Sequence, residues 1–354
     1  MKQFQLKTIF AAATILAVLS ACKKDKVNIT EVPQTGVYIL SQGNIGKNNS
    51  VLSFYNSITK NTTGDIFSSV NGRGIGDTGN DARIYGSKMY ITVNYSSTLE
   101  IVDAKTAKSI KQIKMDNAGT NRQPRYVVFD KNKAYISSYD GTVAVLDTAS
   151  LTIEKYISVG RNPEQMVVSN GKIYVANSGG LDFANPDKTV SVINIATGAE
   201  IKKIDLATTN PVNIAADAYG DVYVISYGTD YPAHPKLTTI NNTTDVVKTT
   251  VDIDAGYGTS FIVVGDLAYY LSDAGKVKVY NVKTETIANE GFITDATAIK
   301  VPYAITADPT TGEVFVTDAV DYTNNGKLYV FNKTGKLEYE VTTGINPGAI
   351  VILK

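Results

Sequence analysis

Residues 143–180 read VAVLDTASLTIEKYISVGRNPEQMVVSNGKIYVANSGG. The segment opens on an alternating apolar strand that closes on Asp147. An Asp or Asn side chain at such a place accepts a hydrogen bond from the backbone two residues on and nucleates a tight turn. The chain returns as LTIEKYIS and breaks at Arg161-Asn162-Pro163. It then runs through two more apolar strands, the second centred on Tyr174. Short runs of period two joined by polar turns are antiparallel strands rather than helices. This one stretch carries the end of one small sheet and the start of the next.

Both landmarks recur along the chain. The aromatic one appears as VYIL at Tyr38, MYIT at Tyr90, AYIS at Tyr135, IYVA at Tyr174, VYVI at Tyr223, AYYL at Tyr269 and VFVT at Phe315, separated by 39 to 52 residues. The Asx landmark follows each, at Asn56, Asp103, Asp147, Asn194, Asn241, Asn281 and Asn332. Seven units of four strands describe an all-β, seven-bladed β-propeller of four-stranded antiparallel blades. A β-helix needs a shorter repeat, and a sandwich does not repeat one hairpin seven times. The first unit begins at GVYIL, already its second strand, and the chain ends INPGAIVILK (345–354), an opening strand with no unit after it. The C-terminal strand is expected to close blade one, which removes an open sheet edge.

The 34 Lys and Arg balance 34 Asp and Glu, so the charge footprint of a nucleic-acid binder is missing. The start is cationic at Lys2 and Lys7, followed by an apolar run from Ile9 to Leu19 that is too short to span a bilayer. It ends Leu19-Ser20-Ala21-Cys22, the pattern of a bacterial lipobox. Residues 1–21 read as a lipoprotein signal peptide, 22–35 as the lipidated Cys22 with a flexible tether, and 36–354 as the propeller. Cys22 is the single cysteine, which rules out a disulfide framework and any cysteine-based metal cluster. Acyl chains would supply the contact with the membrane.

The interval from each aromatic to its Asx measures the loop between second and third strands: 18, 13, 12, 20, 18, 12 and 17 residues for blades one to seven. Long loops on blades four and five, and on seven and one, should raise two walls around a trough floored by the connections between blades. Loops on a rigid scaffold carry function. The candidate ligand-binding residues on this face are Asn44, Asn80, Asn94, Tyr95, Tyr139, Arg161, Asn177, Tyr227, Tyr231, Tyr257, Asp273, Asp318 and Tyr322. Tyrosine offers flat contact area with a polar tip, and amides offer adaptable hydrogen bonds. That set suits a neutral, polar, ring-containing ligand.

Other signals carry less. GIGDTG (74–79) matches a dinucleotide fingerprint, but strands follow it where a helix is needed, so it reads as a connection between blades, with Asp77, Asn80 and Asp81 at the mouth. His234 is the single histidine, too little for a zinc site or a catalytic dyad. DFANPD (182–187) and DAVDYTNN (318–325) have oxygen ligands without regular calcium spacing and read as polar turns. No metal or cofactor is expected.

GVYILSQGNIGKNNSVLSFYN and GDTGNDARIYGSKMYITVNYSSTLEIVD resemble the opening blades of Bacteroidota surface lipoproteins within the YncE-like, YVTN-type propellers, and the stretch quoted first shares that rhythm. The resemblance spans residues 36–354. Within that group the chain is similar to the BtuG-type proteins, which bind cobalamin at the cell surface for a TonB-dependent outer-membrane receptor. The resemblance implies a monomeric, non-enzymatic outer-membrane lipoprotein that captures a corrinoid. A protein- or glycan-binding propeller is the alternative, and a lactonase-like hydrolase a third.

Overall fold

The computed structural model describes residues 35–229, 234–256 and 260–354. The leader, the tether up to residue 34 and Cys22 lie outside them. Seven four-stranded antiparallel sheets carry nearly all of the regular structure. Blade three is representative: Pro124–Asp130 innermost, then Lys133–Ser138, Thr142–Asp147 and Thr152–Ser158. The innermost strands touch one another in a closed cycle around a central channel. Second strands such as Gly36–Ser41 and Lys172–Asn177 are buried along their whole length, whereas the outermost strand Ser109–Lys114 alternates half-buried with exposed. That gradient is the one the sequence periodicity encodes.

The C-terminal strand Pro347–Leu353 pairs with Gly36–Ser41 as the innermost strand of blade one, with Tyr38 opposite Val351. The two ends of the propeller therefore share a sheet. Seven hydrophobic clusters of buried residues fill the seven interfaces between neighbouring blades.

All seven Asx residues make the expected turn. Asn56 Oδ1 accepts from Ile58 N at 2.9 Å, Asp147 Oδ1 from Ala149 N at 3.0 Å and Asn332 Oδ1 from Thr334 N at 2.9 Å; Asp103, Asn241 and Asn281 do the like, and Asn194 Oδ1 accepts from Thr197 N, three residues on. In blades one, four and five the aromatic landmark has a partner in the next blade. Tyr38 Oη donates to Ala104 O at 2.9 Å, Tyr174 Oη to Asn242 O at 3.1 Å and Tyr223 Oη to Val282 O at 3.0 Å. Each acceptor is the residue just after the Asx. In these three blades the two sequence landmarks are the two halves of one blade-to-blade latch.

Blade one departs from the pattern. Its outermost strand is only Thr62–Thr63, and a short helix, Ile66–Asn71, follows where no helix was expected. Asp65 caps it by accepting from Ser68 N at 3.0 Å, and Gly72 ends it at φ 65°. One buried side chain, Phe67, holds it against the blade, which is too little periodicity to read from sequence.

Candidate functional site

Five innermost strands begin at a proline: Pro124, Pro163, Pro211, Pro302 and Pro347. The first residue of a strand tolerates a missing N–H. In three of them the preceding residue is an asparagine at positive φ, Asn162 at 46°, Asn210 at 60° and Asn346 at 55°. Asn is among the few residues that enter this region readily. Immediately after each proline the strand bulges. Arg125 and Tyr126 lie between the pairs Pro124/Ser138 and Val127/Ile136, and Glu164 and Gln165 occupy the same place in blade four. Tyr303 and Ala304 do so in blade seven, and Asn80 and Gly348 are single extra residues in blades two and one. A bulge leaves side chains unpaired and re-aims them. Here it delivers them to the mouth of the channel.

The bulged backbone is held by hydroxyls of the second strands. Ser137 Oγ accepts from Tyr126 N at 3.1 Å and donates to Glu164 O at 2.8 Å. Thr317 Oγ1 accepts from Ala304 N at 2.8 Å and donates to Pro347 O at 2.7 Å. Thr92 Oγ1 plays the part in blade two, donating to Arg125 O at 2.6 Å. Each hydroxyl fixes one bulge and reaches the next blade.

The result is a cavity of about 830 Å³ on the loop face and in the adjoining channel, lined by the innermost strands of all seven blades. Its floor is polar. Arg125 Nε and Nη2 donate to Glu164 Oε2 at 2.9 and 2.7 Å, Arg125 Nη1 donates to Asn80 Oδ1, and Tyr139 Oη donates to Glu164 Oε1 at 2.5 Å. The Arg125 guanidinium also lies 4.6 Å from the Tyr139 ring centre. Burial works against the charge on Arg125, but Glu164 and the two tyrosines outweigh it, so its pKa rises above the ordinary arginine value. Burial, then the Glu164 charge, lifts the Tyr139 phenol far above its usual range. Across the mouth, burial pushes Tyr303 up to about 12. The lining holds two acidic and two basic residues, Asp81, Glu164, Arg83 and Arg125, and so carries no net charge.

The rim is apolar. Ile45, Tyr95, Leu181, Phe183 and Tyr322 all line the cavity and are among the large hydrophobic residues left exposed, Phe183 at 82 %. They come from the loops of blades one, two, four and seven. Large exposed apolar groups gathered at one opening mark an interaction site.

Of the candidates read from sequence, Asn44, Asn80, Asn94, Tyr95, Tyr139 and Tyr322 line this cavity. Tyr231 and Tyr257 lie outside the described residues. The others stand elsewhere. Asn177 is buried and its amide donates to Thr189 and Ser191 hydroxyls. Tyr227 is buried, its Oη donating to Asn213 Oδ1 and Gly256 O. Asp318 is buried and accepts from Lys300, Val301 and Val320 N–H groups, which makes it a loop clamp. Arg161 ties down the blade-four insertion through Asp182 and Asn185 O. Asp273 is exposed and does not line the cavity. Asp77 faces inward too, accepting from Asn48 N and Thr78 Oγ1. GIGDTG runs into the strand Gly79–Tyr85, as a connection between blades does.

Arg125, Tyr126, Glu164, Gln165, Tyr303 and Gln42 were not anticipated. The signal was present: five of the six follow a proline at the start of a unit by one or two positions.

These features define the class, a seven-bladed β-propeller with a cavity on its loop face. The chain belongs to the family of the domain of unknown function DUF5074, which it matches over residues 35–346. A comparison with curated proteins finds no match. Among solved structures it is similar to hydrazine synthase from Kuenenia stuttgartiensis, with 14 % identity and a TM-score of 0.64 over 77 % of this chain and 89 % of that one. It is also similar to a quinonprotein alcohol dehydrogenase-like protein from Bacteroides thetaiotaomicron, with 19 % identity and a TM-score of 0.63 over 90 % and 78 %. BamB from Moraxella catarrhalis shares 14 % identity at a TM-score of 0.51 over 90 % and 85 %. At these identities the likeness concerns the fold alone.

Proposed function

We propose that this protein is a non-enzymatic cell-envelope lipoprotein that captures a neutral, ring-containing ligand at the loop face, most concretely a corrinoid. The observation that carries the reading is the cavity's construction: an exposed apolar rim above a polar floor whose charges cancel. A volume of about 830 Å³ is in the range of small-molecule sites. Apolar and aromatic rim residues suit the flat faces of a large ring, and the Asn, Gln and Tyr groups beneath suit amide arms. The way the floor is used supports a reading of binding without chemistry. Glu164 already accepts from Arg125 and Tyr139, so it is poorly placed to act as a base.

The resemblance to BtuG-type lipoproteins supports the corrinoid reading and brings with it a TonB-dependent receptor as partner, a monomer as the working state, and anchoring through acylated Cys22. No helix among the described residues is long and apolar enough to cross a membrane, which is compatible with a lipid anchor. Calorimetric titration of the full chain in mild detergent with cyanocobalamin tests the ligand. Saturable binding at micromolar concentration or tighter, weakened by Phe183→Ser, is expected. Absence of heat and of co-elution at tens of micromolar sinks the corrinoid. Metabolic labelling with palmitate, lost in Cys22→Ala, tests the anchor.

A further inference from the structure

The seam where the two ends of the propeller meet holds a second level of organisation. Six cavity-lining residues there form a closed circuit. Asn346 Nδ2 donates to Gly43 O at 3.0 Å, and Asn346 O accepts from Gln42 N at 2.9 Å. Asn44 Nδ2 donates to Tyr322 O at 3.1 Å. The Tyr322 ring meets Tyr303 edge-on, with centres 6.2 Å apart, and Tyr303 Oη donates to Gln42 Oε1 at 2.8 Å.

Three features of this circuit are unexplained by folding. First, Asn346 Oδ1 is buried with no partner among the described residues. A buried acceptor left unmade costs free energy and calls for a partner. Second, Tyr303 takes the oxygen of the Gln42 amide, which leaves its Nε2 end to donate. Gly348 is what gives that end room: a Cβ there would stand 2.7 Å from Gln42 Nε2. Third, the loop presenting Tyr322 is strained and braced. Val320 and Tyr322 sit at φ 61° and 65°, an outlier for a β-branched residue. Asp321 locks the loop by accepting from Thr323 N at 2.9 Å and Asn324 N at 2.8 Å. Strain held by surrounding bonds is a mark of a functional position. Here it leaves an aromatic ring 52 % exposed over the cavity.

We propose that the seam of blades seven and one is a carboxamide subsite. Gln42 Nε2 donates to the amide oxygen of the ligand, Asn346 Oδ1 accepts its N–H, and the Tyr322 ring covers the flat group that bears the amide. The donor and acceptor together read an amide and reject a carboxylate, which brings no N–H to Asn346 and a charge to a buried oxygen. The proposal rests on the ligand-capture reading and specifies which chemical group is read and where.

Saturation-transfer NMR on the full chain, with benzamide and benzoate as paired probes, tests it. Benzamide is expected to show transfer to its ring protons and to bind at least tenfold more tightly than benzoate. Tyr322→Asn, which tolerates the same backbone, and Gly348→Ala, which displaces the Gln42 amide, are each expected to weaken benzamide at least tenfold. Thermal melting confirms that the variants fold. Equal affinity for the two probes in the unaltered chain, no benzamide binding, or indifference of both folded variants overturns the subsite. Cyanocobalamin that fails to bind a chain still binding benzamide refutes the corrinoid and leaves the subsite standing.

Discussion

Removing Glu164 should expose how the cavity floor is held together. Glu164→Leu deletes a carboxylate that accepts from Arg125 Nε, Arg125 Nη2 and Tyr139 Oη. It leaves Arg125, whose side chain is 17 % exposed, without a counter-charge. Breaking a buried ion pair from one side costs about 3–5 kcal/mol, and the opening of Arg125 toward the channel places the expectation near the lower end, at about 3 kcal/mol. A propeller of this length unfolds with an entropy of about 0.7 kcal/mol/K, so Tm should fall by about 4–5 °C. Arg125→Met should cost a similar amount. The double variant replaces the pair with apolar groups of like volume and should lose much less than the two single losses together, a coupling of about 2 kcal/mol or more. Scanning calorimetry with guanidinium unfolding of all four proteins measures this. Additive losses, or a Glu164→Leu loss under about 1 kcal/mol, would refute the view that Arg125 depends on Glu164.

Tyr38→Phe removes the latch to Ala104 O and should cost about 1 kcal/mol, whereas Tyr90→Phe removes a buried hydroxyl that has no partner among the described residues and should be neutral or stabilising; denaturant midpoints of the two variants decide, and equal losses contradict the latch. Alkaline unfolding should be steep. Free phenols titrate near 10, while burial raises Tyr90 and Tyr303 to about 12 and Tyr38, Tyr174 and Tyr223 further. The fold thus holds these protons more tightly than the unfolded chain. That stabilisation is complete below pH 10 and is lost as pH rises through the folded values. Absorbance at ~295 nm, where phenolates are followed, should lag behind a free-tyrosine curve and jump as near-ultraviolet dichroism collapses; a smooth titration with native dichroism retained contradicts it. Deleting residues 345–354 removes the strand that pairs with Gly36–Ser41 and the buried Ala349, Val351 and Leu353, and a truncated chain that melts like the full one would contradict closure through the C-terminus.

The sequence was legible where one residue type has one physical job repeated seven times. Asx at a strand end makes a turn wherever it occurs, so its recurrence counted the blades. The tyrosine before it could be counted as well, although its tie to the next blade's carbonyl was invisible until the blades were arranged in space. Side-chain direction at strand ends was not legible. Asn177 ends a second strand, yet its amide folds back to Thr189 and Ser191. Asp318 ends the equivalent strand of blade seven and turns to three backbone N–H groups. A polar residue at such a place is claimed by unpaired backbone or neighbouring hydroxyls before any ligand can use it. Tyr95 and Tyr322 line the cavity because they lie one or more residues farther out, beyond those groups.

The position after each proline shows why the floor was missed. Arg125 and Glu164 belong to different blades, and nothing in the local pattern of either marks it as the partner of the other. The bulge alone brings them together, and a bulge is a property of pairing with the second strand. The same device serves the fold and the site. A proline starts the innermost strand, the extra residues that follow escape pairing, and a hydroxyl from the second strand fixes the backbone they leave loose. The backbone at these positions is therefore constant, while the side chains on it are free of any duty to the sheet. This chain fills them with Arg and Tyr, Glu and Gln, Val, Tyr and Ala, and Gly in the five proline-led blades. A propeller built this way can change what its channel mouth recognises by changing the residue after a proline without altering the pairing inside a blade, although pairs such as Arg125 with Glu164 must change together because they bridge two blades.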